Sequence, residues 1–139
     1  MREAARLADA RACSRAQLIE RLLSRGHARE DCEAAAERLI ELGALNDGAF
    51  AREVCFYYES RGYGIKRISH ELLRRGIGRE DSEEALRSLS DPVGAIRAYL
   101  NAHLPENPSQ KDLKKAFDTL LRRGFIPGDV RSAMKDPED

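Results

Sequence analysis

Apolar residues recur every three or four positions along most of the chain, and charged residues fill the positions between them. This spacing places the apolar side chains on one face of an α-helix. No segment alternates apolar and polar residues with the β-branched enrichment that is typical of a strand. The pattern therefore predicts an all-α chain, with helices at about 3–12, 14–25, 29–42, 47–61, 65–75, 79–89, 92–104, 110–123 and 127–135.

Short polar motifs and glycines mark the ends of these helices. Two helix starts have the spacing of a capping box, in which a serine precedes a polar side chain by three residues: Ser14 with Gln17, and Ser109 with Asp112. Asp91 followed by Pro92 predicts an N-cap with proline in the first turn. Helices are expected to stop where glycine can adopt a left-handed conformation, at Gly26, Gly43, Gly62, Gly76 and Gly124.

One motif, Leu-Leu-x-Arg-Gly-x-x-x-x-Asp, occurs three times. Its copies start at Leu22, Leu72 and Leu120, and their glycines are 50 and then 48 residues apart. A period of this length is typical of a supersecondary unit that buries its apolar face against its neighbours. We therefore predict a tandem array of three three-helix repeats, at 1–45, 46–90 and 91–139, forming one continuous domain. The leucine pair of each motif is expected in the core.

Two corresponding helices carry basic residues opposite their apolar stripes. The stripes consist of Ile65, Ile68, Leu72 and Leu73 in one helix and of Leu113, Phe117, Leu120 and Leu121 in the other. The opposite sides carry Arg67, His70 and Arg74 in the first helix and Lys111, Lys115 and Arg122 in the second. A basic stripe is usually just a solvated face. Its recurrence in successive repeats favours a track for phosphates or for an acidic protein surface.

The helix predicted at 47–61 differs from the others because it carries an aromatic residue away from its apolar stripe. Phe50, Val54 and Tyr58 form the stripe, whereas Phe56 lies between Arg52 and Ser60. Such an aromatic either packs on a neighbouring helix or serves as a contact residue for a partner. The helix is followed by Arg-Gly-Tyr-Gly, which predicts a tight bend but lacks the spacing of a phosphate-binding loop.

Charge and composition limit the classes of function. Charged residues make up 35% of the chain with a net charge of zero, and each predicted repeat has eight basic and eight acidic residues. Bulk charge thus argues against a stand-alone DNA-binding protein. The three cysteines and three histidines lack the spacing of metal ligands, and the cysteines are expected to be reduced, semi-buried helix residues in a cytoplasmic protein. No membrane span, signal peptide, nucleophile–base pair or paired-carboxylate motif is recognisable, so neither an enzyme nor a cofactor is expected.

The middle third of the chain resembles a known family. It contains Leu45-Asn46-Asp47-x-x-Phe50-Ala51, followed by Arg61-Gly62-Tyr63-Gly64-x-x-Arg67-Ile68-x-x-Glu71-Leu72-x-x-x-Gly76-Ile77. This pattern resembles the central signature of the RecX family of RecA modulators. The flanking segments are similar to the family's first and third repeats. The chain departs from the pattern at Asn46, where an acid is common, and at Tyr58, where a basic residue is usual.

The resemblance implies an elongated, curved, helical array that binds in the groove of the RecA–single-stranded DNA filament. It would restrain recombinase, ATPase and co-protease activity without any chemistry of its own. The implied partners are the RecA filament and the single-stranded DNA within it, with no membrane and no small-molecule substrate, and the protein is expected to be a monomer. The residues expected at the contact surface are Arg52, Phe56, Arg61, Lys66, Arg67, Arg74, Arg75, Lys111, Lys115 and Arg122.

Two other functions compete with this interpretation. Three-helix units are similar to helix-turn-helix domains, so a stand-alone helical DNA-binding module is the alternative. An enzyme ranks last. The sequence does not decide whether the regulator caps filament ends or lies along them.

Overall fold

The computed structural model describes residues 1–10 and 12–135, and within them it contains nine α-helices and no strand. The helices are α1 (Arg2–Ala10), α2 (Arg15–Ser24), α3 (Arg29–Glu41), α4 (Asp47–Ser60), α5 (Ile65–Arg74), α6 (Arg79–Leu86), α7 (Pro92–His103), α8 (Gln110–Arg122) and α9 (Pro127–Met134). The predicted all-helical fold is confirmed. The largest shift is in α6, which ends at Leu86. Arg11, placed in the first predicted helix, and residues 136–139 lie outside the described residues.

The predicted caps are present. Ser14 and Ser109 each form a complete capping box, and the carboxylate of Asp91 accepts a hydrogen bond from the backbone N–H of Val93 at 3.0 Å. The glycines of the three repeat motifs all have positive φ, 94° at Gly26, 74° at Gly76 and 98° at Gly124. Each of them follows the C-cap of a middle helix, so the three copies occupy the same structural context, as predicted.

Three separate clusters of buried apolar side chains hold the helices together, one in α1–α3, one in α4–α6 and one in α7–α9. The first leucine of each repeat motif lies in its cluster: Leu22, Leu72 and Leu120 are buried, the last two completely. A helix of about ten residues buries only one stripe, so each helix depends on the other two in its group.

The second leucine of the motif was assigned to the core, and this assignment is wrong for Leu73. Its side chain is 73% exposed, whereas Leu23 and Leu121 are half-buried. Consecutive residues of a helix project about 100° apart around its axis. A narrow buried stripe therefore cannot have both leucines at its centre. Ile65, also assigned to the buried stripe, is exposed at the first position of α5.

The middle helices of successive groups meet end to end. At the first junction, the C-terminal end of α5 contacts the N-terminal end of α2, and the hydroxyl of Ser14 donates a hydrogen bond to the backbone carbonyl of Arg75 at 2.5 Å. The carboxylate of Asp47 accepts a second bond there, from the backbone N–H of Arg15 at 2.8 Å. Ser14 is completely buried by this contact.

At the second junction, the C-terminal end of α8 contacts the N-terminal end of α5 through backbone hydrogen bonds. The N–H groups of Gly64 and Lys66 donate to the carbonyls of Arg123 and Gly124, at 2.8 and 2.9 Å. These donors and acceptors belong to helix ends, where no partner exists within the helix. A Cβ at Gly64 would lie 2.5 Å from the backbone nitrogen of Phe125, so this approach requires glycine.

The cysteines were expected in helices. Cys32 and Cys55 are buried in α3 and α4, but Cys13 is buried in the connection between α1 and α2. No helix in the described part of the chain is long and apolar enough to cross a membrane. The same residues contain no group of three or more His, Cys, Asp or Glu side chains that could hold a metal ion.

Candidate functional site

A buried glutamate on α5 organises three arginines. Glu71 is only 3% exposed, and its carboxylate accepts bonds from Arg67 Nε at 3.1 Å, Arg74 Nη2 at 2.9 Å and Arg75 Nη1 at 2.5 Å. Because one negative charge faces three positive charges, the group retains an excess of two. A guanidinium held by a carboxylate has a fixed orientation, and its remaining N–H groups can bind an external phosphate or carboxylate.

The carboxylate of Glu71 is strongly stabilised in its ionised form. Burial raises the pKa of Glu71, but hydrogen bonds from Arg75, Arg74 and Tyr58 outweigh it and lower the pKa to about 2. Burial also lowers the pKa of the Arg75 guanidinium, but its bonds to Glu71 and Tyr58 prevail and raise that pKa. Glu71 and Arg75 therefore remain a charged pair throughout the physiological pH range.

Three tyrosines connect these arginines to α4. The ring of Tyr58 lies edge-on to Tyr57 and Tyr63, with centroids 5.0 and 5.6 Å away. The hydroxyl of Tyr58 accepts a hydrogen bond from Arg75 Nη2 at 3.2 Å. The guanidinium of Arg67 lies 5.1 Å from the Tyr63 centroid, within the range of a cation–π contact. We call the group formed by Tyr57, Tyr58, Tyr63, Arg61, Arg67, Glu71, Arg74 and Arg75 the arginine–tyrosine cluster.

An exposed aromatic surface on α4, formed by Phe56 and Tyr57, adjoins this cluster. Phe56 is 74% exposed, and the guanidinium of Arg61 stacks on the Tyr57 ring, 3.6 Å from its centroid. Together with Arg52, these residues line a shallow depression of about 580 Å³. An exposed aromatic beside fixed cations has the composition of a contact site for another macromolecule. Phe56 does not pack on a neighbouring helix, the other outcome considered for it.

The predicted residues on α8 do not join the cluster directly. Lys111, Lys115 and Arg122 are exposed, and Arg122 Nη2 donates to the Thr119 hydroxyl at 3.1 Å. In the described residues no side-chain hydrogen bond, ion pair or ring contact links these three to the arginines of α5. Their connection is the backbone junction at Lys66. The basic residues predicted as one track therefore fall into two parts. One is a compact cluster on α4 and α5, and the other consists of separate cations on α8.

Two residues of the predicted surface are less accessible than expected. Arg67 was placed on the side opposite the apolar stripe and Arg75 among the freely accessible contact residues, but both are half-buried. Both side chains bond to Glu71 and also lie over tyrosine rings, with Arg67 5.1 Å from the Tyr63 centroid and Arg75 5.5 Å from the Tyr58 centroid. Arg74 has the same partner, but its side chain remains 62% exposed.

Sequence reasoning assigned no role to Glu71 beyond the family pattern and missed Arg123. Glu71 could have been recognised from its helical spacing, because Arg67, Arg74 and Arg75 lie four residues before it and three and four after it. Arg123 is half-buried, and its guanidinium lies 5.1 Å from the Tyr99 centroid. No short-range pattern predicts that contact, because it depends on how α7 packs beside α8.

Comparison with known proteins identifies the family. The family model described as the second three-helix domain of RecX matches residues 46–86, the segment that contains the arginine–tyrosine cluster. Regulatory protein RecX from Chromohalobacter salexigens is 32% identical over 134 residues, which cover 95% of this chain and 88% of that protein. The chain belongs to the RecX family. Regulatory protein RecX from Stenotrophomonas maltophilia is 30% identical over 132 residues, covering 91% of this chain and 80% of the relative.

The RecX fold is also found among solved structures. The crystal structure of RecX from Lactobacillus salivarius superimposes with a TM-score of 0.87 at 19% identity, covering 96% of this chain and 90% of the other. The two positions singled out in the sequence as departures from the expected RecX pattern both have a structural role. Asn46 caps α4 by accepting from the Ala49 N–H at 3.0 Å, and Tyr58 forms the centre of the arginine–tyrosine cluster.

Proposed function

We propose that this RecX-family protein is a non-enzymatic inhibitor of RecA that binds the RecA–single-stranded DNA filament and restrains its recombinase, ATPase and co-protease activities. In this proposal the three repeats act as one continuous domain, and the protein works as a monomer in the cytoplasm. The relatives are named regulatory proteins, which supports regulation over catalysis.

The observation that carries the proposal is the arrangement around Glu71. Three arginines are fixed in orientation and together carry an excess of positive charge. The exposed ring of Phe56 lies on the adjoining aromatic surface of α4. A filament of protein on single-stranded DNA offers both phosphates and acidic side chains to such a surface. Individual exposed ion pairs contribute only about 0.2–1 kcal/mol, so affinity must come from many contacts acting together.

The test is inhibition of the DNA-dependent ATPase of the cognate RecA at increasing concentrations of the regulator. The variant combines Lys66→Gln and Arg74→Gln, which removes two exposed charges without placing a new carboxylate beside Glu71. We expect its half-inhibitory concentration to rise about threefold or more, and added salt to weaken the unmodified protein in the same direction. A folded double variant that inhibits fully would overturn the assignment of this surface.

The matched control combines Arg79→Gln and Arg87→Gln, which removes two exposed charges from the start of α6 and from its C-cap and should leave inhibition unchanged. Phe56→Ser separately tests the apolar contact and should weaken inhibition at all salt concentrations. Circular dichroism confirms that each variant is helical. If the control variant and the test variant lost inhibition of the RecA ATPase equally, the cause would be a general charge effect. That result would contradict a localised contact surface.

The competing function is a stand-alone helical DNA-binding module. It is supported by the excess charge of the arginine–tyrosine cluster and by the similarity of three-helix units to helix-turn-helix domains. Fluorescence anisotropy with a labelled single strand, bare or coated with RecA, separates the two functions. Tighter binding to the coated strand is expected, and tighter binding to the bare strand would favour the alternative.

A further inference from the structure

A groove of about 590 Å³ lies between the second and third groups of helices. Its floor contains the buried side chains of Ile68 and Phe125. Its walls include Ile65 at the start of α5 and Ile126 just before α9, which are 37% and 40% exposed. Leu86 also lines it, half-buried. The groove therefore combines an apolar floor with aliphatic side chains that stay partly exposed to solvent.

The charged side chains that line this groove are all acidic. Its lining includes three carboxylates, Glu59, Asp91 and Asp129, and contains no lysine, arginine or histidine. This is unusual in a chain with equal numbers of basic and acidic residues. One oxygen of Glu59 accepts from the Ser90 N–H at 2.8 Å, and one oxygen of Asp91 accepts from the Val93 N–H at 3.0 Å. Each carboxylate keeps an oxygen for an external cation.

Asp129 is the groove carboxylate without a polar partner in the described part of the chain. It lines the groove as the last residue of the third repeat motif, and its side chain has no hydrogen bond or ion pair with the described residues. Both of its oxygens are therefore available to an external cation.

We infer that this groove binds a basic, apolar segment of a partner protein, with an aliphatic or aromatic side chain against Ile68 and Phe125 and flanking lysines or arginines beside the three carboxylates. The concave shape, the exposed aliphatic walls and the carboxylates at the rim are the features that such a segment requires. An acidic segment is disfavoured because like charges would be desolvated together. This inference is independent of the proposed binding to RecA, because a cationic surface and an anionic groove select different ligands.

The probe is the amidated, acetylated peptide Lys-Lys-Leu-Leu-Phe-Lys-Lys, titrated into the full ¹⁵N-labelled chain at low salt. We expect saturable shifts of the amide signals of Ile65, Leu86 and Ile126. A peptide with glutamate at all four lysine positions tests the charge, and one with Gly-Ser-Gly at its centre tests the apolar contact. Neither should produce these shifts. Equal binding of the acidic peptide, or basic-peptide shifts confined to α8, would overturn the inference.

Two variants test the groove residues. Ile126→Ser removes an exposed aliphatic side chain and introduces a good N-cap for α9, so the fold should be retained. It should weaken binding of the basic peptide about fivefold or more, because apolar contact area is lost. Asp129→Asn should weaken the binding and reduce its dependence on salt. Unchanged binding by Ile126→Ser would contradict the inference.

Phe56→Ser is the matched control, because Phe56 is exposed on α4 but does not line the groove. It should bind the basic peptide like the unmodified protein while weakening inhibition of RecA. The groove and the proposed function can therefore fail separately. Concentration-dependent shifts at Ile65 and Ile126 without any peptide would mean that a second copy of the chain occupies the groove, and would also overturn the inference.

Discussion

The hydroxyl of Ser14 joins two repeats by donating to the backbone carbonyl of Arg75 at 2.5 Å while it accepts from the N–H of Gln17 at 3.1 Å. Replacing Ser14 with alanine removes a helix cap and leaves a carbonyl at a buried junction without its partner. We expect Ser14→Ala to reduce the free energy of unfolding by about 2 kcal/mol, measured by urea denaturation.

Ser109 provides the matched control for that measurement. It forms the same capping box at the start of α8, but it is exposed and its hydroxyl makes no bond to another repeat within the described chain. Ser109→Ala should cost only about 1 kcal/mol. Equal losses in the two variants would mean that the bond from Ser14 to Arg75 adds nothing to stability.

The pH dependence of unfolding should report the environment of Glu71. Its pKa is lowered from 4.5 to about 2 in the folded chain, so its stabilising effect is complete above pH 4.5 and is lost as the pH falls toward 2. The loss should be about 3 kcal/mol over this range. Glu71→Gln should unfold more easily at neutral pH, because three guanidinium groups lose their counter-charge. The stability of Glu71→Gln should also fall less between pH 4.5 and 2 than that of the unmodified chain. If the free energies of unfolding of the two proteins fell in parallel over this range, Glu71 would not be the group responsible.

Substitutions of the two leucines in the second repeat motif should differ strongly in their effect on stability. Leu72 is completely buried, so Leu72→Ala should reduce the free energy of unfolding by about 2–5 kcal/mol. Leu73 is 73% exposed, and Leu73→Ala should stay within about 0.5 kcal/mol of the unmodified chain. Chemical denaturation of both variants provides the comparison. A large loss for Leu73→Ala would mean that a further surface covers this residue.

The backbone contact at the second junction should not tolerate a side chain. Gly64 has φ of −97°, which any residue can adopt, so the cost of Gly64→Ala comes from contact with the backbone of Gly124 and Phe125. We expect a loss of about 1–3 kcal/mol or more. Gly94→Ala in α7 is the control, since a Cβ there meets nothing within 4 Å and should stabilise the helix by about 0.5–1 kcal/mol. A neutral Gly64→Ala variant would show that the junction can shift.

The sequence predicted the helices well because their ends are encoded locally. Ser14, Asp91, Ser109 and the motif glycines act within one turn of the residues that they cap, so their effect can be recognised without tertiary information. The fully buried Leu72 and Leu120 were also predicted correctly. The core of a helix pair cannot be assigned from one helix alone, and this explains the error at Leu73.

The candidate site was less predictable. The sequence indicated the cations of α5 and the exposed Phe56, but not that Tyr57, Tyr58 and Tyr63 connect them across two helices. The acidic groove escaped notice because its three carboxylates come from α4, from the start of α7 and from α9. Residues so distant in sequence become neighbours only when the end of α8 meets the start of α5. The helical periodicity of the sequence does not predict that contact.

The end-to-end junctions also give the molecule a direction. In the order α8, α5, α2, each of the two junctions joins a C-terminal end to an N-terminal end, so the negative end of one helix dipole meets the positive end of the next. One terminus of this series is the N-terminal end of α8, capped by Ser109, and the other is the C-terminal end of α2, which closes at Gly26. A partner built from identical subunits in head-to-tail order would therefore accept the protein in one orientation and reject the reverse.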